Sequence, residues 1–157
     1  MLLIGNGRLI TRSQTNPYLE DGAVVLDGEA VRETGTLTAL RAKYPQARFV
    51  DARGGVIMPG LINVHTHIYS GLARGLAIDG FHPTNFFEVL DGQWWNIDRH
   101  LTLDGTRACA YATILDCIRD GVTTIFDHHA SFGEIPGSLF AIKDVCAELG
   151  MRDCLCY

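Results

Sequence analysis

The chain has 157 residues, of which 47% are hydrophobic and 20% charged, and its formal net charge is −5. This composition is typical of one globular domain. An acidic chain without a basic run offers no footprint for nucleic acid, and no apolar stretch approaches the ~20 residues of a membrane span. The five cysteines form no CxxC pair, which favours reduced thiols and a cytoplasmic protein.

The first 58 residues are predicted to be rich in β-strands. Short apolar runs flank Gly5–Gly7, and two further runs, Ala23–Leu26 and Glu29–Thr34, flank Asp27-Gly28. An Asp-Gly pair between two strands predicts a two-residue hairpin, because glycine adopts a positive φ without strain.

From residue 59 the pattern changes to strands that alternate with helices. Leu61–His65 is nearly all apolar, which is typical of a strand buried on both faces. A glycine-containing loop is expected to follow. Helices are then predicted over 86–95, 102–121 and 138–150, with strands at 122–126 and 154–157. The order β-α-β-α-β predicts a parallel sheet with crossover helices.

The helix predicted over 102–121 begins at Thr102, a favourable N-cap residue. Its apolar residues recur at the spacing of one helical face. We therefore expect that face to be buried; it comprises Tyr111, Ile114, Leu115 and Ile118.

Two histidines, His65 and His67, follow the first predicted parallel strand. Residues i and i+2 of an extended chain point the same way, so both imidazoles can converge beyond the carboxyl end of the strand. Imidazole is a ligand for zinc and iron, but a catalytic zinc needs about three protein ligands. The pair therefore indicates half of a metal site; the alternative is two ordinary polar residues in a loop.

The run Val56–His67 (VIMPGLINVHTH) resembles the first barrel strand of the metal-dependent amidohydrolase superfamily. The shared pattern is apolar residues, Pro-Gly, two apolar residues, Asp or Asn, and His-x-His. Asn63 and the threonine between the histidines resemble the branch that contains guanine deaminase and the triazine chlorohydrolases, and within it the SsnA-type aminohydrolases. Gly121–Asp127 resembles the second-strand pattern of that branch, and residues 1–58 resemble the small β-sandwich that precedes the barrel.

The resemblance implies an α/β fold: a partial (β/α)8 TIM-type barrel over residues 59–157, comprising the first three strands, preceded by a β-sandwich segment over 1–58. It implies one or two divalent metal ions, zinc first and iron as the alternative, with His65 and His67 as ligands. The function implied is a hydrolase of non-peptide carbon–nitrogen bonds, of the deaminase or chlorohydrolase kind. In such an enzyme, metal-activated water attacks a small amino-substituted heterocycle or cyclic amidine.

A complete barrel needs about 250 residues, far more than follow residue 58. We therefore expect the N-terminal portion of an amidohydrolase, inactive alone, because the family's remaining ligands come from the fifth, sixth and eighth strands. One alternative is a non-catalytic truncated fragment, and another is a small α/β binding domain in which the His-x-His is incidental. Exposed sheet edges also favour self-association into a homo-oligomer.

Four further residues are candidates for contact with a substrate or for orienting a ligand. Asp127, His128 and His129 end the second parallel strand, and alternation sends the two histidines to opposite sides. One histidine is expected to face the site and the other to pack between strand and helix. Asp127 can alternatively bond the loop backbone. Arg74 lies in the glycine-containing loop and either meets a polar substrate group or is solvated.

Other chemically distinctive residues are interpreted as structural. Trp94 and Trp95 lie inside a predicted helix and are expected to pack rather than to stack on a substrate. Cys154 and Cys156 are expected to fill the core beside the third strand.

Overall fold

The chain forms two compact units, residues 1–59 and 60–157, in the computed structural model, which describes residues 1–157. The first unit contains β1 (Leu2–Ile10), β2 (Tyr18–Asp27), β3 (Ala30–Thr36), α1 (Leu37–Lys43), β4 (Arg48–Asp51) and β5 (Val56–Ile57). The second contains β6 (Leu61–Thr66), a 3-10 helix (Ile68–Ala73), α2 (Phe86–Val89), a π-helical turn (Leu90–Trp94), α3 (Trp95–His100), α4 (Leu103–Arg119), β7 (Val122–His128), α5 (Ser138–Leu149) and β8 (Arg152–Cys156). None of these helices is long and apolar enough to cross a membrane.

The first unit is built around β1, which pairs antiparallel with β2 and parallel with β4 and β5. The two short runs predicted around Gly5–Gly7 are in fact one continuous strand. Register shifts on either side of Gly7 show that bulges absorb the irregularity, and Asn6 adopts a φ of 59° there. A bulge bends a strand without ending its pairing, so the glycines interrupt the pattern but not the ladder.

The predicted hairpin between β2 and β3 is present, with its loop shifted by one residue. Asp27 pairs with Ala30, so the loop residues are Gly28 and Glu29. The positive φ of 59° lies on Gly28, the first loop residue, which is the position that a type II′ turn reserves for glycine.

Apolar side chains form the interior of the first unit. Leu3, Val25 and Leu40 belong to one buried cluster, in which α1 contributes Leu40. Leu9 and Ile57 belong to a second cluster with Val24. Because Val24 and Val25 are consecutive on β2 and both buried, the sheet is covered on both faces at this point.

The second unit is a parallel sheet in the order β6-β7-β8, and helices α4 and α5 pack against it, which confirms a mixed α/β fold. Its buried core consists of Ile68, Ala110, Ile114, Ile125, Ile142, Val145, Cys146 and Met151. Gly60 precedes β6 where only glycine fits, because a Cβ there would lie 2.2 Å from the side chain of Thr123.

Helix α4 buries part of the predicted face: Ile114 is fully buried, and Tyr111 packs partly buried against the core. Thr102 caps the helix as expected, accepting a hydrogen bond from the N–H of Gly105 at 3.1 Å. Leu115 and Ile118, however, are 45% and 43% exposed. The fully buried residues of α4 are Ile114 and three that were not predicted, Thr106, Cys109 and Ala110. Thr106, Cys109 and Ala110 have small side chains, and Gly71 of the 3-10 helix lies close to the backbone of Cys109. A hydrophobicity count undervalues such a contact.

Of three local predictions for the second unit, two are wrong, and the helix predicted over 86–95 is confirmed but too short. The loop expected after residue 67 begins with the 3-10 helix, and the helix predicted over 86–95 continues to His100 through the π-helical turn. Cys154 and Cys156 are exposed rather than buried. Leu155 between them packs against the core, so alternation turns both thiols to the other face of β8.

Candidate metal centre

A bulge in β6 determines where the two histidines point. Asn63 pairs with Ile125 and Thr66 pairs with Asp127, so three steps along β6 match two along β7. Ile125 and Asp127 are both buried, and Asn63 and Thr66 share their face. His65 and His67 alternate with Thr66 and therefore lie on the opposite face, away from α4 and α5.

The two imidazoles converge at the carboxyl end of β6. Their Nε2 atoms are 3.1 Å apart, and their rings meet edge-on with centroids 5.0 Å apart. Two nitrogens that bind one zinc ion at about 2.0–2.1 Å in tetrahedral geometry lie roughly 3.3 Å apart. The spacing of His65 and His67 therefore fits two ligands of a single metal ion.

His67 is held in one tautomer by strand β7. Its Nδ1 lies 2.9 Å from the backbone carbonyl oxygen of His128. A carbonyl only accepts hydrogen bonds, so Nδ1 carries the proton and donates it. In a neutral imidazole, Nε2 then keeps its lone pair, which is the arrangement found in metal-binding histidines.

The backbone beside His65 is held by a neighbouring side chain. The Asn63 carbonyl oxygen Oδ1 accepts a hydrogen bond from the N–H of His65 at 3.3 Å. Asparagine commonly makes this contact two residues along the chain. That spacing is visible in the sequence, but the prediction did not include this role for Asn63.

Asp127 is buried directly behind the histidines, with 2% of its surface exposed. Its Oδ1 accepts a hydrogen bond from the N–H of Ile68 at 2.7 Å, while Oδ2 has no partner. Burial raises the pKa of this carboxyl group to about 6, although the Ile68 N–H and the nearby His67 and His128 act in the opposite direction.

The two histidines that end β7 lie in different surroundings. His128 is exposed, and its ring centroid is 5.9 Å from that of His67. His129 is 1% exposed and packs between Tyr69 and Tyr157 at centroid distances of 5.4 and 5.9 Å. Burial lowers the pKa of His129, which favours its neutral form. Of the two rings, that of His128 lies beside His67, whereas that of His129 packs between two tyrosines.

Arg74 has another partner. Its guanidinium donates to the Asp116 carboxylate of α4 at 2.7 Å, and its side chain is 78% exposed. A substrate contact for Arg74 stays a prediction without support from this geometry.

The histidine pair has no third ligand within the chain. No group of three or more histidine, cysteine or carboxylate side chains is arranged to hold a metal ion. The donor types and the spacing of His65 and His67 thus fit a divalent cation, and the pair falls short of the three protein ligands of a catalytic zinc.

Comparison with known proteins gives this geometry a family context. Residues 56–157 match the amidohydrolase family, and residues 22–47 match the imidazolonepropionase-like composite domain of bacteria. A 5′-deoxyadenosine deaminase of Methanosarcina barkeri is 28% identical over 156 residues, which are 99% of this chain and 33% of that protein.

Solved structures resemble the whole chain. A mutant of the atrazine chlorohydrolase of Arthrobacter aurescens, complexed with zinc and atraton, has a TM-score of 0.82 at 28% identity; the match covers 100% of this chain and 35% of that one. Guanine deaminase of E. coli shares the fold, with a TM-score of 0.78 at 21% identity over 99% of this chain and 37% of its own.

The chain spans about a third of the length of each of these proteins. The match to the family covers most of the chain and includes both histidines of the Val56–His67 run. It confirms the resemblance predicted from that run, and the likeness to triazine chlorohydrolase and guanine deaminase structures agrees with it. The chain belongs to the amidohydrolase family.

Proposed function

We propose that this chain supplies two metal ligands, His65 and His67, to a hydrolase of non-peptide carbon–nitrogen bonds. The observation that carries the proposal is the pair of Nε2 atoms 3.1 Å apart, one of them on a ring whose Nδ1 faces a carbonyl. Zinc is the first choice of metal, since imidazole suits it and the similar chlorohydrolase is complexed with zinc. Iron is the alternative that the same ligands accept.

The proposed substrate is a small amino-substituted heterocycle. The similar proteins are named as a 5′-deoxyadenosine deaminase, an atrazine chlorohydrolase and a guanine deaminase, which supports this class. A divalent cation supplies Lewis acidity and lowers the pKa of water that it binds toward 7. The chain's own part is to present two Nε2 lone pairs, with His67 oriented by the His128 carbonyl. The exposed ring of His128 stands beside them as a candidate substrate contact.

We also propose that residues 59–157 are the first three strands of a (β/α)8 barrel and residues 1–58 a β-sandwich segment. The parallel order β6-β7-β8 and the TM-score of 0.82 support this reading. Sites of such barrels lie at the carboxyl ends of the strands, where His65 and His67 are. Two imidazoles fall short of the three protein ligands of a catalytic zinc, so the others would come from residues outside 1–157.

The test is a zinc titration of the 157-residue chain by calorimetry, with His65→Ala and His67→Ala as variants. We expect a single zinc-binding event that either substitution abolishes, because each removes one of only two ligands. His100→Ala is the matched control. Its Nδ1 also faces a carbonyl, that of Asn96 at 2.8 Å, but no second imidazole is near, so zinc binding should be unchanged.

Zinc binding that survives both His65→Ala and His67→Ala would contradict the proposal and favour a binding domain with an incidental His-x-His. Ammonia release from adenosine or guanine serves as a second measurement. The chain alone is expected to release none, because its ligand set is incomplete. If the chain alone releases ammonia and His65→Ala abolishes that release, the histidine pair is sufficient for catalysis without further ligands.

A further inference from the structure

The carboxyl end of β7 contacts the histidine-bearing segment through two consecutive residues. The His128 carbonyl accepts from the His67 ring, and the Asp127 carboxylate accepts from the N–H of Ile68, the residue that follows His67. The side chain and the next peptide group of His67 are thus held by one strand. The carbonyl oxygen of His67 is held as well, by the N–H and hydroxyl of Ser70.

Packing alone does not explain a carboxylate at position 127. Asp127 is 2% exposed and belongs to none of the chain's ion pairs with lysine or arginine. A buried charge without a cationic partner destabilises a fold. An apolar residue of similar size would fill the same space without that cost, but it would leave the buried N–H of Ile68 without an acceptor.

Asp127 pairs with Thr66, the residue before His67, and both the Thr66 hydroxyl Oγ1 and the Asp127 Oδ2 are buried without a partner. Asp127 therefore bonds the N–H of the residue after His67 and pairs in strand register with the residue before it.

We infer that Asp127 is a positioning residue that fixes the backbone around His67 and so aims its Nε2 lone pair at the metal. This inference rests on the proposed metal site. Groups that hold a metal ligand in place commonly change metal affinity by 10- to 100-fold when removed. The role assigned to Asp127 is hydrogen-bond acceptance, which an asparagine can share, and not charge alone.

The experiment is a cobalt titration of the 157-residue chain, read from the visible absorption of the bound ion. Asp127→Ala removes the acceptor and should weaken cobalt binding by about 10- to 100-fold. Asp127→Asn retains an acceptor oxygen and should restore most of that affinity. Asp98→Ala is the matched control: Asp98 is also buried, at 4% exposure with an unpartnered Oδ1, but it bonds neither neighbour of His67.

The ring 15N shifts of His67 provide a second measurement that requires no metal. In the wild type and in Asp127→Asn they should show the proton on Nδ1. In a folded Asp127→Ala variant they should show a mixture of tautomers, because the ring and the His128 carbonyl lose their alignment.

Two results would overturn the inference while the proposed function stands. The first is that the Asp127→Ala variant binds cobalt as tightly as the wild type. The second is that the Asp127→Asn variant loses as much cobalt affinity as Asp127→Ala, which would assign the effect to charge. Equal losses in Asp98→Ala and Asp127→Ala would also overturn it, since they would indicate general destabilisation. Failure of the wild type to bind cobalt in a His65-dependent way would instead refute the metal site itself.

Discussion

The two units of the chain differ in what they bury. In residues 1–59 the buried side chains are all apolar, as in the cluster of Leu3, Val25 and Leu40. In residues 60–157 the interior also contains polar side chains. The four buried side-chain atoms without a hydrogen-bond partner all lie there: Thr66 Oγ1, Asp98 Oδ1, Asp127 Oδ2 and His129 Nδ1.

This difference separates a unit whose buried side chains are all apolar from one that buries polar groups as well. Buried polar groups without partners are rare in folded proteins, because each costs free energy. Their concentration in one unit, together with the raised pKa of Asp127, is typical of a functional site. The first unit contains no buried polar side-chain atom without a partner, and we interpret it as a scaffold.

The largest expected effect tests the apolar unit. Leu40→Ala should lower the free energy of unfolding by about 2–5 kcal/mol, because it leaves a cavity in a core where Leu40 is 2% exposed. Urea denaturation followed by circular dichroism measures this. Val31→Ala, at a 65% exposed position, is the control and should stay within about 0.5 kcal/mol of the wild type. A change in cobalt affinity in folded Leu40→Ala would break the comparison, since a scaffold residue should not affect the metal site.

The free energy of unfolding should depend on pH in opposite directions through one carboxyl group in each unit. Because burial raises the folded-state pKa of Asp127 from 3.8 to about 6, the folded metal-free chain binds the proton more tightly than the unfolded chain does. Its contribution to stability is therefore present below pH 4 and is lost as the pH rises through about 6. The loss is on the order of 3 kcal/mol. Asp127→Asn should remove it, as measured by urea denaturation of both proteins from pH 4 to 8.

Glu33 in the first unit provides the contrast. The hydrogen bond from Lys43 lowers the pKa of its carboxyl group most, and the one from Tyr44 lowers it further. The contribution of Glu33 to folding stability is therefore lost as the pH falls. Glu33→Gln should therefore reduce stability at neutral pH and have less effect in acid. The same slope in Glu33→Gln and Asp127→Asn, relative to wild type, would contradict the assignment of opposite signs.

The smallest expected effect concerns Arg74. Its ion pair with Asp116 is largely exposed, and such pairs contribute about 0–1 kcal/mol. Arg74→Ala should therefore leave both unfolding free energy and zinc affinity nearly unchanged in denaturation and calorimetry. In a longer chain that turns over a heterocycle, a raised KM in Arg74→Ala would show that the arginine meets substrate and that its role extends beyond this pair.

Much of the site was predictable because its signals are local. His-x-His at the end of an apolar strand places two imidazoles at a sheet edge by alternation alone, and the Pro-Gly before it indicates where the second unit begins. The predicted burial of that strand on both faces is wrong, since Leu61, Ile62 and Val64 are 47%, 59% and 73% exposed. The hairpin at Gly28 and the N-cap at Thr102 depend equally on neighbouring residues. Hydrophobicity identified only part of the buried face of α4, because the helix also buries small residues where it approaches the 3-10 helix.

The sequence by itself determined the family, the α/β alternation and the histidine pair, since each follows from residue types at fixed spacing. Only the tertiary structure decided the bulge that determines which face His65 and His67 share, the carbonyl that fixes the His67 tautomer, and the carboxylate that reaches Ile68. The physical reason is that these contacts join β6 to β7. Residues about 60 positions apart become neighbours through strand register, which no local pattern in the chain encodes.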